Sequence, residues 1–350
     1  MAIKRTTIED VAIEAGVSKG TVSLVLNRNR SKISISSQTC KRVLQAAQRC
    51  GYHPNAAARA LSTRRTGHIG FILSDTITGG WANVYYATIF AGVEQACRAR
   101  GYGLNTSLYN LSNIDSFVFP PKVGQRSVDG LILTGYVQAS VVQRFREFDI
   151  PCVCIGDDIE VAEIIPSLST DIVDGFFQAV EHLASLGHRN IGFCDLPSRR
   201  GREITRLVED RVRSHPATAG CRLAGLTAPG QWDYQAAGHL LNAWLAFAPA
   251  DRPSAVISSD QTLIALAGEL TRRGLKCPGD LSLISSCNTH LCPITYPALT
   301  AIDQNLGQLG QNAVDLLIDY LDNDTTLTAA ASRNDFPCRL VVRDSTGEPK

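Results

Sequence analysis

The 350-residue chain has eleven cysteines but no Cys-x-x-Cys pair and no Cys/His cluster at zinc spacing. That scatter argues against a structural metal and for a reducing cytosol. Cys152 and Cys154 alternate along an apolar run, as core thiols do. No apolar stretch is long enough to span a bilayer, and no signal peptide is recognisable, so the chain is expected to be soluble and cytoplasmic. The Gly-x-Ser-x-Gly elbow, the phosphate loop, the dinucleotide fingerprint and His-Glu-x-x-His are all missing, and the seven histidines are dispersed. No catalytic residue, cofactor or metal is expected, and the chain is not read as an enzyme.

Positive charge, by contrast, is concentrated. Twelve lysines and arginines face only Glu9, Asp10 and Glu14 in the first 65 residues, a net charge of +9 in a chain whose total is +1. Residues 66–350 therefore carry −8. Such asymmetry points to a polyanion bound at the basic end.

Within that end, Thr7 can cap a first helix, with Asp10 three residues on completing a capping-box-like pair. Ile8, Val11, Ala12 and Ala15 supply one apolar face, and Gly16 accepts the positive φ of a tight C-terminal turn. Val17 can tuck inward while Ser18 caps a second helix running through Val22, Val25 and Leu26. A third helix is expected from about Ser37 to Cys50, with Cys40, Val43, Leu44 and Ala47 inward and Lys41, Arg42 and Arg49 free for phosphates. Capping and apolar spacing alone would suit any small three-helix module; the basic excess favours a DNA-reading helix-turn-helix.

The segment Tyr52-His53-Pro54-Asn55-Ala56-Ala57-Ala58-Arg59-Ala60-Leu61 follows. With Val17-Ser-x-x-Thr-Val-Ser-x-Val-Leu-Asn27, it makes residues 7–66 resemble the headpiece and hinge of the lac repressor (LacI/GalR) family of bacterial transcription regulators. The resemblance implies DNA contacts from Thr7, Ser18, Lys19, Gly20, Thr21, Ser23, Leu24, Asn27, Arg28, Asn55, Ala58 and Leu61. It also implies that the segment after Pro54-Asn55 becomes helical on DNA, with Leu61 wedged into the minor groove. The residues suit that role: the alanines favour helix, yet so short a segment is marginal alone in water. A flexible basic linker is the plainer reading of the same residues.

From His68 onward, short β-branched runs alternate with helical stretches. Runs at 68–75, 128–135, 150–156, 190–194, 255–260 and 281–286 read as buried parallel strands in βαβ units. The length exceeds one comfortable core. The family resemblance continues through Gly92-Val-Glu94, His182-Leu-Ala-Ser-Leu-Gly-His-Arg-Asn-Ile-Gly192 and Pro297-Ala-Leu-Thr-Ala-Ile-Asp-Gln304. It implies an α/β fold, a three-helix headpiece (1–52) and hinge (53–66) followed by two Rossmann-like subdomains of periplasmic-binding-protein type. The first is expected over 67–168 with 303–330, the second over 169–302 with 331–345.

Ligands of such folds bind at the carboxyl ends of strands, between subdomains. The resemblance places Asp75, Arg202, Asp260 and Asn288 at positions that commonly contact the effector. Asp260 and Asn288 suit sugar hydroxyls, and Trp81, Tyr85 and Trp232 could face a pyranose ring. Alternatively, Asp260 caps a helix starting at Thr262 and the aromatics are core. Several departures stand out: the loop at 76–81 is longer than usual, Cys287 replaces a common aspartate, Pro120-Pro121 interrupts a helix, and Arg199-Arg-Gly-Arg202 leaves the arginine's alignment ambiguous.

The expected function is a homodimeric, sequence-specific regulator, a repressor of a catabolic or transport operon. It would bind palindromic operator DNA under control of a small molecule, a carbohydrate or derivative. Two other classes fit less well: a solute-binding receptor, which would need export, and a regulator that answers a protein partner.

Overall fold

A computed structural model describes residues 6–26, 35–52, 60, 65–194, 199–226, 236–323 and 327–350. They belong to two compact units, Met1–Gly67 and His68–Lys350.

The first unit contains helices α1 (Ile8–Ala15), α2 (Lys19–Leu26) and α3 (Ser37–Arg49). At the start of α1 the Asp10 N–H donates to Thr7 Oγ1 while the Thr7 N–H donates to Asp10 Oδ2 at 2.7 Å, closing the reciprocal capping box. Gly16 ends the helix at φ +63°, a conformation costly for any side chain with a Cβ. Ser18 Oγ then accepts the Thr21 N–H at 3.1 Å and starts α2. Val11, Ala12, Ala15, Val22, Val43, Ala46 and Ala47 form the core, the alanines allowing three short helices to cross closely.

One expectation in this unit is corrected. Leu44 is 54% exposed, and Ala46 takes the inward position, because the buried stripe of α3 runs 43, 46, 47 at helical spacing. Arg49 lies 3.0 Å from the Glu14 carboxylate, an exposed pair that a phosphate can exchange.

The second unit is built on two six-stranded sheets. One comprises β1 (His68–Ser74), β2 (Gly103–Tyr109), β3 (Gly130–Thr134), β4 (Cys152–Ile155), β5 (Ser167–Thr170) and β11 (Arg333–Phe336), in the order β11-β5-β4-β3-β1-β2. The other comprises β6 (Asn190–Cys194), β7 (Arg222–Leu226), β8 (Ala255–Ser258), β9 (Ser282–Ser285), β10 (Thr300–Asp303) and β12 (Arg339–Val341), in the order β12-β10-β9-β8-β6-β7. All pairings are parallel except β10 with β12. Central strands such as β3, β4, β8 and β9 are buried at every position, as helices on both faces require. The edge strands β2 and β7 are partly exposed.

The chain crosses between the sheets after Thr170, after Asp303 and after Phe336. β11 therefore stays with the first sheet, and the last crossing falls beyond the 330/331 boundary read from the sequence. In the first lobe, helix 84–100 and helix 306–323 pack so closely that a Cβ on Gly92 would meet the Gly307 carbonyl oxygen at 1.9 Å. Arg100 locks the far end of that pair through Asp315 at 2.9 Å and Asp319 at 2.7 Å.

Candidate functional site

Between the two sheets lies a cleft of about 640 Å³, within the range of small-molecule sites. Its walls are the carboxyl ends of strands. Thr76 to Thr78 follow β1, Thr134 to Gln138 end and follow β3, Gly156 to Asp158 follow β4, and Thr170 ends β5. From the second lobe come Arg200 and Ile204 on helix 199–214, Ser259 to Gln261 after β8, and Ser286 and Cys287 after β9. Parallel strands point their carboxyl ends one way, so the side chains that follow converge where the lobes face each other.

Aromatic and apolar groups line part of this space: Tyr85, Tyr86, Ile172, Phe176 and Leu309. Burial first, then the neighbouring Tyr86 phenol, pushes the Tyr85 phenol well above its ordinary range, so it stays a donor. Tyr85 Oη donates to Gln304 Oε1 at 3.5 Å, Thr170 Oγ1 donates to the same oxygen at 3.1 Å, and Gln304 Nε2 donates to the Ser286 carbonyl at 2.7 Å. One carboxamide, just past a crossing, thus ties the first lobe, the β5 crossing and the second lobe together.

Asp260 is 3% exposed and is the first residue of helix 260–272. The cap itself is Ser259, whose Oγ accepts the Thr262 N–H, so the capping role considered for Asp260 belongs to its neighbour. Its carboxylate accepts the Gln261 N–H at 2.8 Å and the Thr289 hydroxyl. Helix amides and the helix dipole favour negative charge there, and Asp260 is among the residues that line the cleft. Burial, then the charge of Asp260, raises the Cys287 thiol; burial pushes Cys154, on the opposite wall, up to about 12. Both are held as thiols.

Across the cleft, Arg200 Nε lies 3.0 Å from Asp157 Oδ2, and Arg200 Nη1 lies 3.0 Å from Glu203 Oε2. Burial opposes the guanidinium's charge, but Asp157 and Glu203 more than offset it and raise its pKa. Since Asp157 follows β4 and Arg200 follows β6, this ion pair bridges the lobes.

Of the effector residues read from the sequence, Tyr85 and Asp260 line the cleft. Arg202 is exposed and does not; Arg200, two residues earlier on the same helix, does. Asp75 is exposed beyond β1 and outside the lining. Trp81 packs into the first-lobe core, its ring 5.6 Å from both Phe71 and Phe90. Asn288 accepts a 2.7 Å hydrogen bond from Arg343 Nη2 and is absent from the lining. Trp232 lies outside the described residues. Sequence reasoning missed Asp157, Arg200 and Gln304, although their places just after a strand or at the start of the following helix were a usable signal.

In the helical unit, Thr7, Ser18, Lys19 and Gly20 are exposed, and Thr21, Ser23 and Leu24 are half-buried along α2. Lys19 Nζ lies 2.8 Å from Glu9, an exposed pair easily exchanged for a phosphate. Asn27, Arg28, Asn55, Ala58 and Leu61, with the expected hinge helix, lie outside the described residues. Among the described residues no helix is long and apolar enough to cross a membrane, and no group of His, Cys, Asp or Glu is placed to hold a metal.

A helix-turn-helix unit in the same chain as a two-lobed, periplasmic-binding-protein-like domain defines a ligand-responsive DNA-binding regulator. Residues 7–55 match the bacterial regulatory proteins of the lacI family, and residues 180–346 match the periplasmic binding protein-like domain. The chain thus carries a lacI-family helix-turn-helix ahead of a periplasmic binding protein-like domain. It is 28% identical to catabolite control protein A of Priestia megaterium over 97% of this chain and 99% of that one. With the HTH-type transcriptional repressor PurR of Haemophilus influenzae it shares 29% identity over 97% and 98%. Among solved structures, the transcriptional regulator CelR–cellobiose complex matches at TM-score 0.65 and 26% identity, covering 97% of this chain and 100% of that one. The lac repressor dimer bound to operator and an anti-inducer matches in fold at TM-score 0.76 and 24% identity, covering 98% and 100%.

Proposed function

We propose that this chain is a dimeric repressor that acts in the cytoplasm on a palindromic operator and is controlled by a sugar or sugar derivative in the cleft. The proposed division is a headpiece over 1–52, a hinge over 53–66 and an effector domain over 67–350. The carrying observation is the union, in one chain, of a lacI-family helix-turn-helix with a cleft whose walls are strand ends bearing a buried carboxylate, hydroxyls and aromatic faces. The basic excess of the first 65 residues supplies phosphate affinity, and Ser18 with residues 19–24 of α2 supplies the base-reading face. Cellobiose in the related CelR supports the sugar class. Such a chain is a regulator and not a catalyst.

Coupling is expected to run through closure of the lobes, with Arg200, Asp157 and Gln304 differing between open and closed states, at roughly 1–3 kcal/mol. Selection of operators from random DNA with the full chain tests the first half. An imperfect palindrome is expected; recovery of single asymmetric half-sites argues for a monomeric reader. Asp260→Ala tests the second half: operator binding should persist while ligand response is lost. A normal ligand response in that variant removes Asp260 from the site.

A further inference from the structure

We infer that the cleft accepts only ligands without an anionic group, namely uncharged polyhydroxylated molecules and their aminated counterparts, and rejects the corresponding acids and phosphates. This rests on the effector reading above and narrows its ligand class by charge.

Among the described residues, the charged side chains lining the cleft are Asp157, Asp158, Glu160 and Asp260 against Arg200 alone. Setting aside Glu160, which has a partner of its own, three carboxylates face one guanidinium.

Arg200 is already committed. With a side chain 22% exposed, it sits 3.0 Å from Asp157 on one side and 3.0 Å from Glu203 on the other. An anionic ligand could recruit it only by breaking the pair that joins the lobes. That would leave the Asp157 carboxylate facing the ligand's own charge, while Asp260 has no ion pair among the described residues to neutralise it. Each unopposed approach of a carboxylate to an anion in a partly desolvated site costs on the order of tenfold or more in affinity.

A neutral polyol meets the opposite situation. Asp260 uses two of roughly four lone-pair sites on Gln261 and Thr289, leaving acceptors for ligand hydroxyl or amino hydrogens. The Tyr86 and Phe176 rings offer apolar faces to the C–H side of a sugar ring.

The test uses the full chain with matched probes at constant ionic strength: glucose, glucosamine, gluconate and glucose 6-phosphate; cellobiose and cellobionate; ribose and ribose 5-phosphate; adenosine and adenosine 5′-monophosphate. Unfolding midpoint, calorimetric affinity and operator affinity are read for each. Saturable binding is expected from uncharged or aminated members, with acids and phosphates at least ~10-fold weaker than their parents, as the Asp260 carboxylate, without an ion pair among the described residues, implies. Asp260→Asn and, independently, Asp157→Asn, which removes one of the two carboxylates that hold Arg200, should each bring the acid or phosphate about tenfold closer to its parent. An acid or phosphate that binds the unaltered chain as tightly as its parent overturns the inference while leaving the effector reading intact. A panel silent in every column, with operator affinity unmoved, counts against the effector reading and carries this inference down with it.

Discussion

Gly92→Ala should destabilise the protein, although the same change in an open helix would stabilise it. Inside a helix, replacing glycine by alanine gains about 0.5–1 kcal/mol from backbone entropy and propensity. At Gly92 the added Cβ would stand 1.9 Å from the Gly307 carbonyl oxygen and 2.7 Å from its carbon. A carbon needs about 3.3 Å from an oxygen, so helices 84–100 and 306–323 must part by more than about 1 Å. The obstacle is backbone and cannot rotate aside. Separation loosens Ile89, Val93, Leu309, Ala313 and Val314, which pack in the same core. Overpacking costs about 1–3 kcal/mol, and a backbone clash belongs at the upper end, leaving a net loss of about 2 kcal/mol after the propensity gain. For a unit of this size that lowers the thermal midpoint by about 3–4 °C. Gly268→Ala is the control: helix 260–272 leaves nothing within 4 Å of its added Cβ, and stability should rise by about 0.5–1 kcal/mol. Urea and thermal melts of the two variants decide the matter. A Gly92→Ala variant at least as stable as Gly268→Ala would refute the close-approach reasoning.

Leu24→Arg should alter the base selected at one symmetric pair of operator positions, because arginine can grip guanine where leucine offers only apolar contact; an unchanged selection profile would show that residue 24 does not face the groove. Leu61→Ala should weaken operator binding far more than binding to random DNA, while loss of Arg64 or Arg65 should mainly reduce the salt slope; equal losses on operator and random DNA would exclude an inserted wedge. His188 is buried, accepts from or donates to Ser254 Oγ through Nδ1 at 2.7 Å, and meets the Gly347 carbonyl through Nε2 at 2.8 Å. Burial lowers its pKa below 6.5, with His182 lowered for the same reason, so the unfolded chain binds more protons as pH falls below 6.5 and stability drops there. His188→Gln should flatten that part of a stability–pH curve measured by urea melts, and an unchanged slope would remove His188 from the linkage.

Local chemistry determined much of this protein before any packing was known. Thr7, Gly16 and Ser18 mark the ends of two helices because caps and a left-handed turn depend on residues within four positions of one another. The apolar runs at 190–194, 255–260 and 281–286 became β6, β8 and β9, since a strand covered on both faces must be apolar throughout. The family resemblance and the rule that ligands meet strand ends together brought Asp260 to the cleft, though the same reasoning chose Asn288, which is absent from the lining.

Tertiary structure decided what depends on distant partners. Arg200 and Arg202 look alike in sequence, yet they lie about 200° apart around a helix, and only the seating of helix 199–214 selects the one that faces the cleft. Asn288 is drawn to Arg343, 55 residues away, and Trp81 turns onto Phe71 and Phe90 instead of toward a ligand. Gln304 gained its role because β10 delivers it to a crossing where Tyr85, Thr170 and Ser286 meet. Each is a contact between residues far apart in the chain, and its energy depends on geometry that composition and spacing do not encode.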